Sequence, residues 1–196
     1  MRHARLAVLA VLMMALPALA QQPAAQGARL YSVKTEDSTL TYRLIHRLHE
    51  VRGTAKPTEG KARLLPDGTL QVAVRANVAD FDSGNSNRDV HMKEATEASK
   101  FPVVELKGVA TGVKLPDTFP GTVPVTLKAQ LTFHGQKQPV EVPLEVTFQS
   151  AREASAKGTF KISLEAFKIE RPSLLMVKVN DDLVLDTQFT LKQENP

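Results

Sequence analysis

The chain of 196 residues contains no cysteine, which excludes both a disulfide framework and lipid attachment at an N-terminal cysteine. Its formal charge is +4, and Arg2 and Arg5 near the N-terminus supply part of it. With so small a charge, no Trp and no run of Lys and Arg interleaved with aromatic residues, the sequence does not predict nucleic-acid binding.

The first twenty residues have the pattern of an export signal. Arg2 and Arg5 give a positive start, and an apolar run follows over residues 6–16. Ala18 and Ala20 form the small-x-small pattern that signal peptidase recognises, which predicts cleavage after Ala20 and a periplasmic or secreted protein. The alternative is a retained N-terminal anchor, but the apolar run is shorter than a membrane-spanning helix requires. We therefore expect a mature chain that does not span the membrane.

The rest of the chain is predicted to form one domain. Residues 21–29 are rich in Gln, Ala, Pro and Gly, a composition typical of a flexible leader. We assign residues 30–193 to a single folded domain, because a mature chain of about 175 residues is long enough for one hydrophobic core.

From Leu30 onward, apolar and polar residues alternate, which is the pattern of strands with one buried face. The alternation is clearest over residues 70–78, 125–133, 140–148, 160–165 and 183–191. It is weaker around residues 40–44 and 104–106. From these segments we predict that the following side chains point inward and contact a ligand: Tyr42, Leu44, Val72, Val74, Leu106, Leu127, Leu131, Val142, Leu144, Phe160, Ile162, Leu185 and Phe189.

Short turns separate these segments. Pro66-Asp67-Gly68 predicts a tight turn, and Asn180-Asp181-Asp182 precedes the last strand. His134-Gly135 predicts a hairpin in which the glycine takes a positive φ. Pro143 falls inside a strand pattern and predicts an edge or a bulge there. Alternating strands joined in this way indicate an all-β fold, an antiparallel closed barrel of about eight strands resembling the lipocalins.

One segment breaks the alternation. Residues 86–100 contain helix formers such as Met92, Glu94 and Ala95, and Asn85 or Ser86 could cap the start of a helix. Phe101-Pro102 would end it. The sequence thus predicts one short helix inserted between two strands near residues 86–100.

The interior of the barrel could be open or filled. The predicted inward face is mostly Val, Leu and Ala, and aromatic residues make up only 5% of the chain, so the side chains would fill a wide lumen poorly. A cavity for a ligand is one outcome. The other is the packed core of a β-sandwich, because alternation shows that one face is buried and not what that face meets.

Several motifs resemble those of the YceI-like family of exported, lipocalin-like polyisoprenoid-binding proteins. Residues 79–85 end a strand with Asp-Ser-Gly-Asn, and Arg88-Asp89 followed by His91-Met92 is similar to the family's Arg-Asp-x-His-Leu at the start of a short helix. Phe101-Pro102 resembles the Phe/Tyr-Pro that begins the family's next strand. Residues 131–140 resemble its hairpin of Leu-Thr-x-His-Gly-x-x-x-Pro-Val.

The resemblance implies a barrel whose lumen holds the isoprenoid tail of an amphiphile, either a quinone-like molecule or a polyprenyl lipid. Arg88, Asp89, His91 and His134 are the motif residues; they would either meet the headgroup at the rim or fix the structure. For Arg88 and Asp89, we favour capping and ion pairing at the start of the helix, because a carboxylate there is stabilised by the helix dipole. We predict no cofactor and no catalytic residue, with a bound isoprenoid lipid as the partner.

Two other functions remain open. A solidly packed barrel could serve as an interaction or stress-response module that uses the loops around residues 83–100. A metal-dependent enzyme would require His46, His49 and His91 to converge, although a metal site needs three or four such ligands. His46 and His49 would face opposite sides of a strand, so we predict no metal site.

Overall fold

A computed structural model of the chain describes residues 27–45, 50–174 and 177–194. Within these ranges it forms twelve strands and one α-helix. The strands are β1 (Arg29–Val33), β2 (Thr39–Ile45), β3 (Glu50–Ala55), β4 (Glu59–Leu64), β5 (Leu70–Asn77), β6 (Val103–Ala110), β7 (Gly121–Phe133), β8 (Gln136–Phe148), β9 (Glu153–Ser163), β10 (Ser173–Leu174), β11 (Val177–Lys178) and β12 (Asp182–Gln193), and the helix is α1 (Ser86–Ala95). Single turns of 3-10 helix occupy Val78–Asp80 and Glu165–Phe167. The predicted signal and most of the predicted leader lie outside the described residues.

Eight strands close into an antiparallel barrel, which confirms the predicted fold class. Neighbouring strands follow the order β1-β4-β5-β6-β7-β8-β9-β12, and β12 pairs with β1 to complete the ring. Two further strands are added: β2 pairs with β12 beside β1, and β3 pairs with β2. The short β10–β11 pair stands apart, in the connection between β9 and β12.

The chain topology gives the barrel two distinct ends. At the end that we call the helix end lie α1, the turn between β7 and β8, and the connection from β9 to β12. At the end that we call the loop end lie the β4–β5 turn, the β6–β7 connection and the β8–β9 turn. The loop end is tied together by backbone bonds such as Val113 N–H to the Gly68 carbonyl oxygen, at 2.9 Å.

β3 and β4 were not predicted from the alternation because glycine occupies inward positions on both. A Cβ on Gly53 of β3 would lie 2.4 Å from Cε1 of Tyr42, the residue opposite it in the β2–β3 ladder. A Cβ on Gly60 of β4 would lie 2.4 Å from Cγ2 of Val33. These strands therefore leave room for large side chains on their neighbours, and their own sequences lack a continuous apolar alternation.

The predicted hairpin and helix are both present. His134 and Gly135 have φ values of +49° and +69°, as a two-residue hairpin turn requires. Asn85 caps α1 by accepting a bond from the Arg88 N–H at 3.1 Å. The helix ends at Ala95, earlier than the predicted range of 86–100, because Glu97 takes a positive φ of +43°.

The barrel wall has interruptions toward the helix end. β3 does not pair with β5; a single bridge between Thr54 and Asp82 links it to the segment that precedes α1. Between β8 and β9, the ladder reaches only as far as the Leu144–Gly158 pair. Pro143 lies where that ladder stops, as expected for a proline in a strand with one unpaired side.

Candidate ligand-binding site

The barrel encloses an elongated cavity of about 510 Å³. Its wall includes Met92 and Ile169 at the helix end and Tyr31 and Phe148 at the loop end, so the cavity follows the axis of the barrel. The lining residues from Ala154 of β9 to Leu164, the residue that follows this strand, span about 33 Å along the chain, or about 25 Å along the axis for a typical strand tilt. The wall is almost entirely apolar.

The predicted lumen residues all line this cavity. They come from the barrel strands β5 to β9 and β12 and from the added strand β2. The residues are Tyr42, Leu44, Val72, Val74, Leu106, Leu127, Leu131, Val142, Leu144, Phe160, Ile162, Leu185 and Phe189. Their contact with a ligand stays a prediction.

Some lining residues were missed by the sequence analysis. Tyr31 and Val33 line the loop end from β1, whose five residues are too few to show a clear period. Val113 lies in a connection, where no periodic signal exists. Met92 and Ala95 line the helix end from α1, and their spacing of three residues, one turn of a helix, could have indicated a shared face.

At the helix end, α1 covers one side of the cavity without being buried itself. None of its residues is buried, and Arg88, His91, Met92 and Ala95 form the face toward the lumen. Val90 on another face is half exposed. The helix thus adds two basic side chains to the wall of an otherwise apolar cavity.

Arg88 and Asp89 both bind Ser83, in the turn that leads into the helix. Arg88 donates from Nε to Ser83 Oγ at 2.9 Å and from Nη2 to the Ser83 carbonyl oxygen at 2.8 Å. Asp89 Oδ1 accepts from Ser83 Oγ at 2.5 Å and from its N–H at 3.1 Å. The two residues therefore hold the segment before α1 through Ser83, whereas the cap of the helix is Asn85, and the capping and ion-pair role that we favoured for Arg88 and Asp89 stays a prediction. The same contacts hold the Arg88 guanidinium beside the cavity.

Tyr42 reaches toward the same region from β2. Its ring lies across Gly53 and packs against Phe81, with ring centroids 5.7 Å apart. The residue is only 8% exposed. Burial raises the pKa of its hydroxyl; the charge of Asp89 raises it further, whereas that of Arg88 lowers it.

His134 does not line the cavity. Its Nδ1 lies 2.8 Å from the Phe167 carbonyl oxygen and its Nε2 lies 3.1 Å from Glu97 Oε2, while Phe101 packs edge-on against the ring. The histidine of the hairpin motif thus joins the β7–β8 turn to the segment after α1 and to the 3-10 turn after β9. Of the four motif residues, only Arg88 and His91 line the cavity.

The histidines considered for a metal site are not brought together in the part of the chain that the structure describes. His46 and His49 lie outside the described residues. His91 is exposed and pairs with Glu94, with Nδ1 3.3 Å from Oε2. Among the described residues, no group of three or more His, Asp and Glu side chains could hold a metal ion.

Comparison with solved structures supports the same fold. A polyisoprenoid binding domain from Saccharophagus degradans, implicated in plant cell wall breakdown, is 16% identical; the match covers 84% of this chain and 98% of that one, with a TM-score of 0.65. BcnA of Burkholderia cenocepacia is 17% identical over 81% of this chain and 98% of its own, with a TM-score of 0.63. At this identity, both show the fold alone.

Sequence comparison gives the family. No curated protein matches the chain. No helix among the described residues is long and apolar enough to cross a membrane. The family model described as the YceI-like domain matches residues 31–191, from Tyr31 in β1 to Leu191 in β12. The chain therefore belongs to the YceI-like family.

Proposed function

We propose that this protein binds an isoprenoid-type amphiphile, a quinone-like or polyprenyl lipid, with its apolar tail in the barrel. The observation that carries the proposal is the continuous apolar cavity of about 510 Å³ along the barrel axis. The Saccharophagus degradans domain of the same fold, a polyisoprenoid binding domain, supports it.

The shape of the cavity suits a long, thin ligand. A tail that lies along the axis can be buried over about 25 Å, as estimated from strand rise and tilt. Each buried CH₂ group contributes about 0.8 kcal/mol, so affinity grows with tail length without polar contacts along the wall. A compact apolar ligand of the same volume as the tail would bury less of its surface in so narrow a cavity.

The proposal is one of binding and not of catalysis. Most side chains that line the lumen are aliphatic or aromatic, and Arg88 and Asp89 are engaged with Ser83. We further propose that the protein works outside the cytoplasm, after removal of residues 1–20. The intact mass of protein recovered from the periplasm tests this, and a mass that includes residues 1–20 would contradict it.

Solvent extraction of purified protein, followed by mass spectrometry, tests the binding proposal. The expected result is a co-purified isoprenoid lipid, or, for protein stripped of lipid, affinity for isoprenoid quinones that rises with each added isoprene unit. Protein that is empty when isolated and binds neither quinones nor polyprenols of any length would contradict the proposal. It would instead favour the interaction module.

A further inference from the structure

Tyr42 carries a polar atom into the apolar cavity. The residue is 8% exposed and lines the lumen, and the part of the chain that the structure describes offers its hydroxyl no hydrogen-bond partner. Among the described residues, no fully enclosed side-chain nitrogen or oxygen atom lacks a hydrogen bond, so the Tyr42 hydroxyl is not sealed within the wall and stays accessible. A ligand atom that accepts a hydrogen bond would satisfy it.

Tyr31 shows what a satisfied tyrosine looks like in the same barrel. It is 4% exposed and also lines the cavity, at the loop end. Its hydroxyl donates to the Ala151 carbonyl oxygen at 2.9 Å, across to the β8–β9 turn. The chain contains only these two tyrosines. Of the two, only Tyr42, which lies nearer the helix end, has a hydroxyl that makes no hydrogen bond to a described residue.

Arg88 offers further donors beside Tyr42. Its Nε and Nη2 bind Ser83, while Nη1 makes no hydrogen bond to any described residue. The guanidinium lines the cavity and is held by Ser83, two residues after the Phe81 ring that packs against Tyr42. Two donors on different elements, β2 and α1, thus face one small region at the helix end.

We infer that the Tyr42 hydroxyl and Nη1 of Arg88 donate hydrogen bonds to the headgroup of the bound lipid, and that this headgroup is a neutral acceptor such as a quinone carbonyl. The inference rests on the proposed function and adds to it the position and the chemical class of the headgroup. The tail would then extend from the helix end toward Tyr31 and Phe148 at the loop end.

The charges around the two donors favour a neutral headgroup over a phosphate. The Asp89 carboxylate accepts a hydrogen bond from the same Ser83 hydroxyl that Arg88 binds, and its negative charge offsets the positive charge of Arg88. His91 faces Glu94, with Nδ1 3.3 Å from a carboxylate oxygen. A phosphate drawn into this region would be partly desolvated near the Asp89 carboxylate, whereas a carbonyl oxygen needs only donors.

The test compares Tyr42→Phe with the matched control Tyr31→Phe. Three probes share one tail: an isoprenoid quinone, the corresponding isoprenoid hydrocarbon and the polyprenyl phosphate. We expect Tyr42→Phe to weaken the quinone about three- to tenfold, the effect of one neutral hydrogen bond, and to leave the hydrocarbon within about twofold. Tyr31 lines the part of the cavity that would hold the tail, so Tyr31→Phe should leave the ratio of quinone affinity to hydrocarbon affinity unchanged. The wild-type protein should bind the quinone more tightly than the phosphate.

Tyrosine fluorescence gives a second readout, because the chain contains no Trp and only two Tyr. In Tyr31→Phe, Tyr42 is the sole reporter, and a bound quinone should quench it strongly; in Tyr42→Phe, the distant Tyr31 should be quenched less. Equal losses for quinone and hydrocarbon, an unchanged quinone affinity, stronger quenching of Tyr31 or preference for the phosphate would each overturn the inference. Wild-type protein that binds none of the probes would overturn the proposed function as well.

Discussion

The two ends of the barrel use similar side chains for different purposes. At the loop end, Tyr31 and Phe148 line the cavity, and the Tyr31 hydroxyl bonds to the Ala151 backbone. At the helix end, Tyr42 and Phe81 pack together, but the Tyr42 hydroxyl has no partner among the described residues. A satisfied hydroxyl stabilises the fold, and an unsatisfied one is available to a ligand.

The backbone hydrogen bonding of the barrel wall also differs between the two ends. The loop end is joined by backbone bonds between its turns, as from Val113 to Gly68. Toward the helix end, the ladders are incomplete, and α1, which has no buried residue, stands beside the gap next to β3. We therefore expect a ligand to enter at the helix end and to carry its tail toward the loop end.

The largest expected effect on ligand affinity comes from blocking the cavity midway between its two ends. Leu127 is 1% exposed and lies midway along β7, against the cavity. Leu127→Trp should place an indole across the lumen and displace about four methylene groups of a long tail, which costs about 3 kcal/mol, or about a hundredfold in affinity. Titration with a long-tailed quinone and with a single-isoprene quinone measures the two affinities, and only the affinity for the long-tailed quinone should fall.

Val109→Trp is the matched control, because Val109 lies on the outer face of neighbouring β6 and is 43% exposed. It should leave binding unchanged. The cavity should also accept the indole of Leu127→Trp with little loss of stability. If the free energy of unfolding instead falls by about 1–3 kcal/mol, as is typical of an overfilled core, the lumen is packed and no continuous cavity connects the two ends.

A second prediction uses one glycine near each tyrosine. Gly53→Ala would place Cβ 2.4 Å from the Tyr42 ring, and Gly60→Ala would place it 2.4 Å from Val33, two residues from Tyr31. Each change should lower the free energy of unfolding by about 1–3 kcal/mol, because a side chain must move. Denaturant unfolding measures this, and quinone affinity should fall only for Gly53→Ala. Equal losses of affinity would mean that the headgroup site is not specific to the helix end.

These two glycines also mark where sequence analysis fails. The inward faces of β7 and β8 were predicted because apolar side chains alternate there without interruption. β3 and β4 carry Gly53, Gly60 and small alanines on their inward faces, so the same period is present in the structure but weak in the sequence. An inward position that must stay empty leaves no hydrophobic signal.

The sequence predicts which residues line the cavity, but it does not predict the contacts that these residues make with distant segments. Alternation assigns Tyr42 to the lumen, but it does not show that Arg88 of α1, which is distant in sequence, lines the same cavity. Likewise, Tyr31 bonds to Ala151, 120 residues away. His134 was correctly placed in a turn, while its bonds to Glu97 and Phe167 arise only when three separate segments meet.

The third prediction compares the tyrosines by stability. Tyr31→Phe leaves the Ala151 carbonyl without its donor, so the free energy of unfolding should fall by about 1 kcal/mol and the Tm by about 2–4 °C. Tyr42→Phe removes a hydroxyl that has no described partner, so the Tm of ligand-free protein should stay unchanged or rise slightly. A larger loss for Tyr42→Phe would show that its hydroxyl is already bonded within the fold.

The smallest expected effect is on the alkaline limb of the stability profile. Burial raises the pKa of both tyrosines above 10.0, against the opposing charges of Arg29 for Tyr31 and Arg88 for Tyr42. Below pH 10, both are protonated in folded and unfolded chains and add no pH dependence. Above it, the unfolded chain loses these protons more readily, so stability should fall as the pH rises, and less so in either Phe variant.

The same titration distinguishes the ends when ligand is added. A quinone carbonyl that accepts from Tyr42 stabilises the neutral hydroxyl, so it should raise the pKa of Tyr42 further. Absorbance of the phenolate band in Tyr31→Phe follows Tyr42 alone, and in Tyr42→Phe it follows Tyr31 alone. Ligand should shift only the first of these curves. A shift of the second curve instead would place the headgroup at the loop end, because Tyr31 could respond only to an acceptor close enough to compete with the Ala151 carbonyl.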